Sequence, residues 1–105
     1  MDWETRAAFL DAWVRALTRP YPGAFTWLGE HKLVVWRGRA LRPGPDSVDA
    51  GGHLRAGTVL SHRPDGVPVA CGDGALLVVE AALAGGSPVS GDGLRDLLPA
   101  GTVLG

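Results

Sequence analysis

The stretch from Arg15 to Trp36, RALTRPYPGAFTWLGEHKLVVW, leaves this chain few ways to fold. Upstream of its first proline, Phe9, Leu10, Trp13, Val14 and Leu17 recur at helical spacing, while Glu4, Arg6, Asp11 and Arg15 fall largely on the other side. One amphipathic helix over about residues 5–18 is expected, with Thr5 as its N-cap. Pro20 ends it, because proline disfavours helical backbone at the residue before it. Pro20, Pro22 and Gly23 then build a corner: the prolines hold φ near −65°, and the glycine admits turn conformations closed to other residues. Ala24 to Leu28 and Lys32 to Arg39 follow, rich in Phe, Trp and Val and joined by Gly29-Glu30-His31, which predicts an antiparallel hairpin.

The remainder repeats short strand signals. Residues from about 41 to 57 are dominated by Pro, Gly and Asp and predict a long surface loop. Thr58 to Ser61, Val67 to Cys71 and Ala75 to Glu80 read as strands, the last two joined by Gly72, Asp73 and Gly74, since Asp-Gly readily takes positive φ. Ala75 to Val79 is apolar at every position, which implies burial on both faces or at a barrel seam. Asp92 to Leu98 predicts a short helical turn and Thr102 to Leu104 a last strand. About six short strands over residues 24–104, preceded by one helix, predict a mainly β domain: a small Greek-key barrel.

With 105 residues there is room for one domain and one core. No apolar run nears the roughly 20 residues of a membrane span, and the acidic N-terminal residues Asp2 and Glu4 do not suit a secretory signal, so a cytoplasmic location is expected. A single cysteine, Cys71, excludes an internal disulfide and leaves too few thiolates for a structural zinc site; no metal ligand set is expected. Residues 1–55 carry eight bases against six acids and the remainder two against five. That is a mild dipole and not the strongly basic surface of a dedicated nucleic-acid binder.

The order of Arg15-Ala16-Leu17, the PYPGAF segment from Pro20, Lys32-Leu33 with Trp36, Pro43-Gly44 or Ala56-Gly57-Thr58, and VACGDG from Val69 to Gly74 resembles the C-terminal domain of the formyltransferases. That family includes methionyl-tRNA formyltransferase and the enzymes that formylate UDP-amino sugars. The resemblance implies an OB-like barrel, attached in those enzymes to a Rossmann-like catalytic domain that uses 10-formyltetrahydrofolate. It also implies that catalysis by Asn, His and Asp resides in that other domain. This sequence contains no asparagine, and its histidines, His31, His53 and His62, fall in or beside predicted loops. No catalytic residue and no cofactor of its own are therefore expected.

In the tRNA-acting branch the corresponding domain contacts the acceptor arm through basic residues, which makes Lys32, Arg37, Arg39 and Arg42 the candidates here for acceptor or nucleic-acid contact. Strand alternation puts Arg37 and Arg39 on one face with Trp36 on the other. Solvated edge-strand charges that discourage strand pairing explain them too. Trp3 and Arg15 are candidates for contact with a catalytic domain or another protein. Arg15 equally suits the C-terminal end of a helix dipole. The four tryptophans, including Trp13 in the helix stripe and Trp27 and Trp36 in strands, are expected to pack, with base stacking the alternative. Cys71 is expected in an apolar strand end and not as a nucleophile.

The expected role is that of a noncatalytic domain that positions the acceptor or supports the catalytic domain, with weak tRNA contact. The alternative is a free-standing module that binds a protein partner or small ligand, and then self-associates through the surface around Trp3 and the helix.

Overall fold

A computed structural model describes residues 2–18, 23–41, 55–72 and 74–105. Helix α1 spans Ala7–Leu17, strand β1 Ala24–Leu28, β2 His31–Leu41, β3 Val67–Ala70, β4 Ala75–Leu83, and helix α2 Gly91–Leu97. Among the described residues these form one antiparallel sheet in the order β1-β2-β4-β3. The domain is mainly β with an N-terminal helix, as expected. Four of the six expected strands are regular. Residues 58–61 and 102–104 instead contribute isolated bridges, Thr58 to Val103 and Val59 to Val69.

Those bridges belong to a longer path of backbone hydrogen bonds. The amide of Leu60 donates to Pro68 O and that of Ala70 to Thr58 O, which sets residues 57–60 beside β3. Val59 N donates to Thr102 O and Leu104 N to Gly57 O, and Gly105 exchanges both backbone bonds with Trp27 of β1 at 2.9 and 3.0 Å. The segments are too short for ladders, yet their polar groups are paired, as a buried backbone requires.

The hairpin is tighter than expected. Leu28 pairs with His31 across Gly29-Glu30 alone, so His31 begins β2 and does not sit in the loop. Gly23 and Gly74 take φ of 92° and 84°, which only glycine adopts without strain. Pro20, Pro22, Asp73, Arg42, His53 and most of the expected 41–57 loop lie outside the described residues.

The core gathers Leu10 and Val14 of α1, Ala24, Leu33 and Val35 of the hairpin, Val67, Val69, Leu76 and Val78 of β3 and β4, and Leu94 and Leu98 at α2. β4 is buried at four consecutive positions from Ala75, so its unbroken apolar run does report two covered faces. The helix differs from expectation in which residues it buries. Ala7, Leu10 and Val14 face inward, whereas Phe9 is 60% and Trp13 36% exposed, and their rings meet edge to face at 6.4 Å. The 11-residue helix buries a narrow stripe, and positions 9 and 13 fall beside it. The N-cap is Arg6 and makes no side-chain cap bond, so the expected cap by Thr5 does not form.

Candidate functional site

The outward face of β2 departs from regular pairing where its arginines lie. Register shifts flank Arg37, between Val35 and Arg37 and between Arg37 and Gly38. The irregularity turns Arg37 and Arg39 toward α1, where Arg15 occupies the last turn, and the three border one groove of about 470 Å³ with Asp11, Asp65, Leu77 and Val79. The sequence placed Arg37 and Arg39 on one face; it gave no sign that Arg15 would join them.

The carboxylates of this groove hold its arginines in place. Asp11 accepts from Arg15 Nε at 2.8 Å through Oδ1 and from the Ala40 amide at 3.0 Å through Oδ2, which ties α1 to β2. Asp65 accepts from Arg39 Nη2 at 2.7 Å and lies 3.5 Å from Arg63 Nε. Among the described residues the Arg37 guanidinium has neither a hydrogen-bond nor an ion-pair partner. Exposed ion pairs of this kind stabilise a fold by at most about 1 kcal/mol.

The other candidates lie elsewhere. Lys32 stands over the Phe25 ring at 4.3 Å on the outer side of the hairpin, beside Trp27. It does not join Arg37 and Arg39. Trp3 is 4% exposed, and its indole N–H donates to Thr26 Oγ1 at 2.9 Å. Its side chain is part of this domain's own core, so a partner would meet the residues around it. Trp36 is half-buried, but Trp27 is 46% exposed and packs edge to face on Phe25 at 6.0 Å. The expectation that each tryptophan packs inside fails for Trp13 and Trp27. In β1 the alternation sends Ala24 and Thr26 inward and leaves Phe25 and Trp27 outside.

Cys71 is half-buried, its thiol directed to Val69 O at 3.5 Å. Burial pushes the thiol from 9.0 up to about 12, against a smaller opposing effect of the Leu76 backbone. A thiol so protonated is a poor nucleophile at neutral pH. His62 Nε2 is engaged with Leu98 O at 2.8 Å, and His31 is exposed at the hairpin. Gly72, expected as a turn residue, also receives the N-terminal segment: its amide donates to Trp3 O at 2.9 Å and Thr5 O at 3.2 Å. Among the described residues no group of three or more His, Cys, Asp and Glu is placed to hold a metal ion. No described helix is long and apolar enough to cross a membrane.

The described residues thus form a mainly β domain with structural turns, a protonated thiol and an arginine-bordered groove. The family of the formyl transferase C-terminal domain matches residues 1–95, and the chain belongs to it. The residues present do not fit the reacting end of a formyl-folate: the sequence has no asparagine, His62 is engaged by a backbone carbonyl, and among the described residues no histidine borders the groove.

Proposed function

We propose that this domain serves a 10-formyltetrahydrofolate-dependent formyltransferase of methionyl-tRNA or UDP-amino-sugar type by positioning the acceptor and supporting the catalytic domain, without catalysing transfer itself. The observation that carries the reading is the family match over residues 1–95. The placement of Cys71 and His62 supports it, since each is engaged within the domain. Arg37 and Arg39 are the acceptor-facing residues in this reading. Lys32 and Arg42 would extend the contact, and Arg15 would bridge toward the catalytic domain. In this reading the compartment is the cytoplasm.

The test is formyl transfer measured with and without this chain. Alone, with 10-formyltetrahydrofolate and either acceptor, it should transfer nothing. Added to a separately prepared catalytic domain of the family, it should raise kcat/KM for the acceptor. Transfer by the chain alone would refute the reading, as would the lack of any effect on the catalytic domain.

A second reading, a module that binds a protein partner, has its own support in the two exposed aromatic pairs, Phe9 with Trp13 and Phe25 with Trp27. Self-association through the helix belongs to this reading. Sedimentation across concentration tests it, and a strictly monomeric profile counts against a homo-oligomer.

A further inference from the structure

We infer that the groove between α1, β2 and the Asp65 turn binds the phosphate or diphosphate group of a small molecule, with Arg37 as its principal ligand. The inference deepens the acceptor-positioning reading and rests on it for the ligand's biological role. The binding itself is argued from the groove alone.

Three arginines from two elements line one concavity there. Arg15 uses only Nε and Arg39 only Nη2 among the described residues, and Arg37 uses none of its donors. Most of their N–H groups are thus unspent, yet two of the three side chains are already aimed by carboxylates. Asp11 is in turn fixed by the Ala40 amide and Asp65 is shared with Arg63. Such pre-positioning lowers the ordering cost that long side chains otherwise incur on binding. Glu80 stands opposite Arg37 in the β2–β4 register but does not border the groove.

The arrangement selects the chemistry of the anion. A carboxylate satisfies one guanidinium fork, whereas a tetrahedral phosphate presents oxygens to several forks at once. With Arg63 counted, four guanidinium groups face two carboxylates, so a dianion brings the cluster to neutrality. A row of arginines would suit a phosphodiester strand; convergence on a single concavity suits a compact anion. The groove's 470 Å³ lies in the range of small-molecule sites, and half-buried Val79 gives the rest of such a molecule an apolar contact.

Calorimetric titration of the full chain at low ionic strength, with inorganic pyrophosphate, inorganic phosphate, citrate and a short RNA hairpin as separate probes, tests this. Pyrophosphate should bind saturably and more tightly than citrate. Arg37→Gln should weaken it about tenfold or more, the worth of a charge-assisted hydrogen bond, and Arg37→Lys by less, while Arg55→Gln leaves it unchanged. Thermal melts of each variant establish that these exposed substitutions leave the fold intact. Absence of saturable pyrophosphate binding overturns the inference, as do equal affinities for wild type and Arg37→Gln, or RNA binding without pyrophosphate binding. Because no formyl transfer is measured, failure of the accessory-domain reading leaves this result readable, and the reverse holds too.

Discussion

The link between Trp3 and Thr26 offers the most demanding test of how this domain is assembled. Thr26 Oγ1 accepts the indole N–H at 2.9 Å and donates to Gly105 O at 3.1 Å, so one buried hydroxyl joins the N-terminal segment, β1 and the residue that pairs with Trp27. Trp3→Phe removes one hydrogen bond, about 1 kcal/mol, and part of a buried ring, about 1–2 kcal/mol more. Thr26→Val leaves the indole N–H buried without an acceptor, which costs about 1–3 kcal/mol. Gly105 O keeps the Trp27 amide as donor, so it is not orphaned. In the Trp3→Phe background there is no indole N–H to strand, and Thr26→Val should then cost about 1–2 kcal/mol less than in wild type. Urea unfolding of the four proteins measures this coupling directly. Costs that add to within about 0.3–0.5 kcal/mol would mean the two side chains act independently, and the reasoning fails.

Four further outcomes are expected. Gly72→Ala sets a methyl group against the Glu4 carbonyl, backbone that cannot swing aside, and should cost about 1–3 kcal/mol, read as a fall in Tm of about 4–8 °C per kcal/mol; an unchanged Tm would show that the N-terminal segment is not seated on this turn. Leu10→Ala should cost about 2–5 kcal/mol and Trp13→Ala about 1 kcal/mol, the reverse of what residue size alone suggests, and denaturant titration separates them. Cys71 should resist iodoacetamide at pH 8 in the native state and react on unfolding; rapid native alkylation would contradict its burial. Its folded pKa, about 12, lies above the ordinary 9.0, so the contribution is intact below pH 9 and is lost as pH rises toward 12. A Cys71→Ala variant should lose less stability over that window than wild type.

The elements of this fold were legible where local chemistry alone decides them. Alternation and a short polar turn locate β1 to the residue, and the all-apolar run at Ala75 marks β4 as the doubly covered strand. What periodicity does not carry is which of two plausible stripes a short helix will bury. Phe9 and Trp13 satisfy the spacing rule as well as Ala7 does, and tertiary packing makes the choice, burying a small residue at position 7 and two branched ones at 10 and 14. Trp3 errs in the other direction: nothing local marks it as core, because its acceptor is 23 residues away.

The groove shows the same division at the level of function. Arg37 and Arg39 were readable as a pair from strand alternation, but Arg15 reaches them only because Asp11, one helical turn earlier, accepts from the Ala40 amide as well as from Arg15. A register shift on either side of Arg37 does the rest, turning two strand residues toward a helix that regular pairing would have left to one side. Family membership and sequence pattern identify a formyl transferase C-terminal domain. The three-way convergence of Arg15, Arg37 and Arg39 is a tertiary fact, and it directs attention to a specific anion.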